Sequence, residues 1–171
     1  MEEGAQAMRR SGADVRDVAL PPQFAALVDA QKTIMAYEAA RNYVFETTRH
    51  ADRLSDAFRA LNDLGARMPR EAYVDARRRV HAARESLDAV FAGCDALLVP
   101  ATAGEAPLAG SGTGDPVMSR MWTALHVPSL AVPVTTGPQG LPVGLQLIGA
   151  LGADVRLLQA GEWAVRALLA A

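Results

Sequence analysis

Residues 127–150 read VPSLAVPVTTGPQGLPVGLQLIGA. Two apolar, strand-like runs, 129–135 and 143–149, flank the segment TGPQGLP. Proline cannot donate to a sheet ladder, so it is held to strand ends, edges and bulges, while glycine supplies the turn geometry other residues resist. The stretch therefore predicts two adjacent strands joined by a tight connection, and any fold for this chain must contain that pair. DALLVP (95–100) is a third short apolar run, closed by proline. It predicts a strand buried on both faces, and the runs at 95–99, 129–135 and 143–149 are expected in one sheet.

The rest of the chain is mostly helical in pattern. EEGAQAMRR (2–10) carries helix formers and stops at Ser11-Gly12. In ADVRDVAL (13–20), Val15, Asp17 and Ala19 alternate with Arg16 and Val18, which predicts a short strand ended by Pro21-Pro22. From Gln23 to about Thr48, Phe24, Leu27, Val28, Ile34, Met35, Tyr37 and Val44 recur at helical spacing. A break at 50–54 is followed by a helix from Ser55 to Leu64, which Gly65 is expected to stop. Pro69 opens the clearest helix, running to Gly93, with a stripe of Tyr73, Ala76, Val80, Ala83, Leu87 and Val90. A helix delivered directly into the 95–100 strand is one half of an α/β unit. Residues 101–116 form a long Gly- and Ala-rich loop, of the kind that tends to serve function. A short helix over 117–125 leads into the strand pair. Asp154 caps a last helix whose Leu157, Leu158, Gly161, Ala164, Val165 and Leu168 are expected to face inward.

Composition narrows the function classes. Half of the 171 residues are apolar and 21% are charged, which excludes a disordered chain. The formal net charge is −2, so nothing draws the chain to nucleic acid or to an acidic membrane. No apolar run reaches the length of a membrane span, the N-terminus lacks the order of a secretory signal, and Cys94 is the single cysteine. A reducing, cytoplasmic setting is the expectation, with no membrane or nucleic-acid partner.

The motifs that suggest chemistry fail when their spacing is checked. GSGTGD (110–115) matches neither a phosphate loop nor a dinucleotide fingerprint, and it is not G-x-S-x-G, so Ser111 is a poor nucleophile candidate. His50, His81 and His126 are scattered and form no metal-ligand pattern with Cys94. Arg77, Arg78 and Arg79 sit in an amphipathic helix and read as a solvated face. Lys32 is the only lysine. No metal, cofactor or catalytic set is expected from the residues themselves.

GLPVGLQLIG (140–149) closely resembles the C-terminal strand motif of the amidase signature family. DALLVPAT (95–102) is similar to that family's D-x-L-L-x-P-T strand and loop. APLAGSGTGDPVMSRMWTALHVPSLAVPV (106–134) is similar to the variable loop, short helix and strand that follow. His126 stands where the pattern often has glycine. SGADVRDVALP and the helix carrying Glu38 resemble the stretch after the family's catalytic core. The resemblance implies an α/β fold in which a mixed β-sheet is covered by helices, with residues 1–171 as the C-terminal portion of an amidase-signature domain, incomplete by itself.

The resemblance also implies chemistry. Family amidases use a Ser–cis-Ser–Lys triad in which the lysine activates a bridging serine, and the nucleophilic serine forms an acyl-enzyme. The Gly/Ser-rich segment of that triad is not found in this chain, and Lys32 is assigned no catalytic role. The implied contribution is strands, helical cover and part of a substrate cleft for a small amide, with Thr102, Ala103 and Trp122 as the substrate-binding candidates. Trp122 reads equally as a core aromatic, and Thr102 as a loop cap. Expected partners are the missing N-terminal portion or further copies of the chain, and the chain alone is expected to be inactive. Two alternatives stand beside this reading: a non-catalytic binding protein derived from the fold, and a fragment of the A-type component of a tRNA-dependent amidotransferase. The Trp122-Thr123 pair favours a bacterial amidase branch over the latter.

Overall fold

The computed structural model describes residues 1–110 and 112–169; Ser111 lies outside the described residues. The chain divides into two compact units, Pro22–Arg84 and Met1–Pro21 with Glu85–Ala171.

Pro22–Arg84 is helical. A 3-10 turn at Pro22–Ala26 leads into α2 (Leu27–Asn42), followed by α3 (Val44–Arg49), α4 (Asp56–Arg67) and α5 (Arg70–Arg84); α1 (Glu2–Arg10) belongs to the other unit. Ser55 caps α4 by accepting a bond from Phe58 N–H. Small residues hold α2 against α4. Ala36 and Ala39 are buried, and so is Gly65, which lies inside α4 against the Ala36 backbone. The sequence pattern takes Gly65 as a stop; it is instead a close-packing residue, and α4 continues for two more residues. Tyr37 and Tyr73 stack with ring centroids 4.3 Å apart, and Tyr73 O–H donates to Glu38 at 2.8 Å. Ala76, Val80 and Ala83 bury the expected stripe of α5. The single helix expected over 69–93 is broken at Glu85–Ser86, where serine favours turns over helix interior. Val44 is 54% exposed and takes no part in the expected face.

The other unit holds the sheet. β1 (Leu97–Pro100), β2 (Ser129–Thr136) and β3 (Pro142–Ile148) form an antiparallel sheet in the order β1-β3-β2. The three expected strands share one sheet, and β2 and β3 are adjacent. Pro133 sits on β2, an edge strand whose outer N–H groups are not needed, and a register shift follows it between Pro133 and Thr135. The β2–β3 turn closes with Gly137 N–H on Leu141 C=O, and Gly140 has φ +77°. A Cβ at Gly144 would stand 3.0 Å from Val132 O, which is why the strands meet there.

α1 and α8 (Asp154–Leu169) cover one face of the sheet, where Met8, Val132, Leu147, Leu157 and Ala164 form a buried cluster. Gly4 and Gly161 permit the close approach, since a Cβ at either would collide with Leu145 or Leu130. Leu158 and Val165, expected to face inward, are 60% and 38% exposed. The inward face of α8 is set by Leu157, Gly161, Ala164 and Ala167, so the wide apolar arc of this helix leaves a second edge outside. α6 (Leu87–Val90) precedes β1, and α7 (Val117–Leu125) lies between β1 and β2 in the chain.

Ala13–Leu20 is not a strand. It runs without helix or strand assignment after Gly12, whose φ of +97° ends α1 as expected. Alternation satisfies the side chains of a strand, but a strand also needs a partner for its backbone. Among the described residues no strand is paired with this segment. Its backbone is instead held by arginine, with Arg9 donating to Val15 C=O.

Candidate functional site

The long loop and its anchors carry the residues selected from sequence. Thr102 and Ala103 are exposed at the start of the loop, directly after β1. The Thr102 hydroxyl donates to Gly104 C=O at 2.7 Å, so it caps its own turn in this conformation. Trp122 is 2% exposed, in the middle of α7. The first two are brought together by sequence; Trp122 is packed in the interior.

The group that ties these elements is Gln146, on central strand β3 and only 4% exposed. Its amide nitrogen donates to Pro100 C=O at 3.0 Å and to Met118 C=O at 2.9 Å, and its oxygen accepts from the Ser129 hydroxyl at 2.8 Å. One buried amide therefore joins the end of β1, the first turn of α7 and the start of β2. A buried amide without partners costs a few kcal/mol, so this full set fixes the three elements against one another. Sequence reasoning passed over Gln146. The signal was a single polar residue inside the apolar run VGLQLIG.

Glu105 holds the loop at its other side. Its carboxylate accepts from the backbone N–H of Gln139 at 3.0 Å and of Leu141 at 2.9 Å. Charged acceptors on backbone amides are among the stronger hydrogen bonds. The tip of the β2–β3 hairpin is thereby pinned to the loop that follows β1. Gly137 leaves room for this contact, since a Cβ there would displace the Glu105 side chain from its present position.

His126 ends α7 in the left-handed region, at φ 58° and ψ 31°, and Val127 N–H closes the cap on Trp122 C=O. It is the one non-glycine residue with positive φ among those described. This conformation is the physical reason a glycine suits the position.

The other titratable candidates stay apart. Lys32 is half-exposed on α2 and pairs with Asp29 at 3.6 Å. His50 makes an edge contact with Phe45, and His81 is on an exposed face. Burial, reinforced by the neighbouring Asp95 carboxylate, pushes the Cys94 thiol above its ordinary value, against the opposing pull of Arg16 and Arg156. That is the reverse of what activates a cysteine nucleophile. No group of three or more metal-ligating side chains comes together among the described residues, and no helix there is long and apolar enough to cross a membrane.

A trough of about 1240 Å3 runs beside β1. Residues 11–20 and 92–99, together with α1 and α8, border it. Its floor includes Met8, Leu98, Leu147 and Ala164.

The sequence profile of the family described as Amidase matches residues 1–158. The A-type component of the glutamyl-tRNA(Gln) amidotransferase of Zymomonas mobilis is 28% identical over 94% of this chain and 39% of its own length. Its counterpart in Azorhizobium caulinodans is 31% identical over 86% of this chain and 36% of its own length. A crystal structure of an amidase superimposes with a TM-score of 0.86 and 29% identity, covering 96% of this chain and 40% of that one. The chain thus spans less than two-fifths of the length of these curated relatives. Its strands, α7 and the GLPVGLQLIG motif are those of the matched region, and the chain belongs to the amidase family.

Proposed function

We propose that this chain is the C-terminal portion of an amidase-signature unit that hydrolyses a carboxylic amide to the acid and ammonia or an amine. It supplies sheet strands, helical cover and one side of the substrate cleft. The Ser–cis-Ser–Lys machinery comes from sequence outside these residues. The observation that carries this reading is the family match over residues 1–158, set against relatives more than twice as long. Among the described residues no activated nucleophile argues otherwise: Lys32 is on an exposed helix face and the Cys94 thiol is pushed toward its protonated form.

Thr102, Ala103 and Trp122 are the proposed contributions to the cleft. The first two present a hydroxyl and a methyl at an exposed loop, and Trp122 serves as a buried wall. What supports grouping them is Gln146, which holds both the residue before the loop and the helix of Trp122. The substrate is a small amide, the setting is the cytoplasm, and neither membrane nor nucleic acid takes part.

A second reading, a portion of the A-type component of a tRNA-dependent amidotransferase, is favoured by one observation: the Zymomonas mobilis and Azorhizobium caulinodans relatives carry that name. The two readings share the cleft and differ in what is presented to it.

The coding sequence immediately before Met1 tests the proposal. A reading frame there, continuous or adjacent, that encodes a lysine followed by a Gly/Ser-rich serine segment is the expected result. An upstream region coding for an unrelated protein, with no such segment elsewhere beside it, overturns the proposal and leaves an independent binding module.

A further inference from the structure

We propose that Glu105 is a positioning residue for the substrate cleft: its carboxylate, seated on the Gln139 and Leu141 amides, fixes where Thr102 and Ala103 stand. This rests on the proposed function, which gives those two residues to the cleft, and adds what holds them there.

The β2–β3 hairpin builds the seat. Its backbone donors from 137 to 141 are accounted for one by one. Gly137 N–H donates to Leu141 C=O at 2.9 Å, and Gly140 N–H donates to Gly137 C=O at 3.0 Å. Pro138 has no N–H. The two that remain, Gln139 and Leu141, both donate to Glu105. Oε1 accepts from Gln139 at 3.0 Å and from Leu141 at 2.9 Å, and Oε2 accepts from Gln139 at 3.2 Å. Convergent N–H groups in a turn make a concavity for an anion, and here the anion comes from the loop after β1. The seat is close-fitting, since a Cβ at Gly137 would stand 2.3 Å from the Glu105 carboxyl carbon.

The bond matters for the residues just before it. Of residues 102–110, all but Glu105 are exposed. Upstream, Ala101 N–H donates to Gly144 C=O at 3.1 Å, which ties the end of β1 to the central strand. Thr102, Ala103 and Gly104 are therefore a short span between two fixed points, one on β3 and one on the hairpin tip. A span of this length with both ends held has few conformations, and releasing one end returns backbone freedom to every residue in it. Gly104, with no Cβ, is its most permissive link. Charged acceptors form the stronger class of hydrogen bond, which suits an anchor in an exposed loop. A glutamate that only closed the hairpin would govern 137–141 and leave Thr102 and Ala103 as they are, so the two roles separate by experiment.

The first measurement uses this chain alone. Hydrogen exchange follows the Gln139 and Leu141 amides, and backbone amide relaxation follows Thr102 and Ala103. In the unsubstituted chain the order parameters of Thr102 and Ala103 are expected near the rigid value of about 0.85. Glu105→Ala should speed exchange at Gln139 and Leu141 at least ~10-fold and bring both order parameters below about 0.6, with the amides of β3 unchanged. Gly137→Ala, whose methyl group displaces the carboxylate from the hairpin side, should do the same. Glu105→Gln keeps an acceptor oxygen without the charge and should fall between. Order parameters below about 0.6 in the unsubstituted chain overturn the proposal, and they decide it should the variants fail to fold. Faster exchange at Gln139 and Leu141 with Thr102 and Ala103 still rigid reduces Glu105 to hairpin support and overturns it as well. The second measurement adds the portion that carries the serine and lysine segment and follows hydrolysis of benzamide. Glu105→Ala should raise KM at least ~10-fold with kcat changed less than ~3-fold, and Glu105→Gln should recover part of the loss. Unchanged KM in a chain whose Thr102 and Ala103 have loosened overturns the role in the cleft while the proposed function stands. No turnover from any combination overturns the proposed function, and with it the cleft role, while the anchoring of Thr102 and Ala103 is decided by the first measurement.

Discussion

Gly65→Ala sets two effects against each other. Gly65 is inside α4, where alanine is favoured over glycine by about 0.8–1.0 kcal/mol. On propensity alone the substitution stabilises. The packing works the other way. The new Cβ would stand 2.5 Å from the carbonyl carbon of Ala36, nearer still to its oxygen, and 3.0 Å from the Cβ of Ala40. Carbon atoms prefer roughly 3.5–4.0 Å, so α2 and α4 must part by about 1 Å along a contact built from small residues. Overpacking of this kind costs about 1–3 kcal/mol, occasionally more. The obstructing atoms are backbone, which no rotamer change removes, so the upper part of that range applies. The net expectation is a loss of about 2 kcal/mol. With a urea m-value of about 2 kcal/mol/M, the midpoint falls by about 1 M at unchanged m. The assay is urea unfolding followed by far-ultraviolet circular dichroism. Ala36→Gly combined with Gly65→Ala should not recover the loss, because the Ala36 carbonyl remains. An unchanged or raised midpoint, or full recovery in the double variant, refutes the reasoning.

At His126, the glycine and alanine variants both remove the imidazole and differ in the left-handed conformation. His126→Gly should be more stable than His126→Ala by about 1 kcal/mol in the same urea assay, and equal stability contradicts the cap. Gln146→Leu strips partners from Pro100 C=O, Met118 C=O and the Ser129 hydroxyl, and should cost about 2–4 kcal/mol; a loss below about 0.5 kcal/mol shows the hub is not needed. Cys94 should alkylate more slowly than a free thiol at neutral pH, since burial and Asp95 raise its pKa and hold it protonated. The iodoacetamide rate should rise at higher pH than for an unhindered cysteine, and a rate at about pH 7 matching free cysteine contradicts that environment.

The sheet was legible because its signals are local. Pro128, Pro142 and the Gly137–Gly140 turn mark the ends of β2 and β3, and the short apolar run before Pro100 marks β1. What escaped depends on neighbours distant in sequence. Val15 alternates like a strand residue, yet strand formation needs a paired backbone that composition cannot reveal. Gly65 carries the sequence signature of a helix stop, and only the Ala36 carbonyl beside it shows another purpose. Leu158 and Val165 extend an apolar arc wider than the surface α8 covers. Thr102, Ala103 and Trp122 were selected by resemblance to a motif. Gln146 and Glu105, which anchor their surroundings, act through bonds spanning 28 to 46 residues in Gln146 and 34 to 36 in Glu105 to targets other than Ser129.

Amide hydrolysis tests the central claim most directly. Ammonia release from simple aliphatic and aryl amides is measured for the purified chain alone, and again after addition of a portion that carries the serine and lysine segment. The account predicts no turnover by the chain alone and turnover on addition, abolished by changing the serine of the added portion. Hydrolysis by the chain alone, lost when one of its own serines is replaced by alanine, contradicts it.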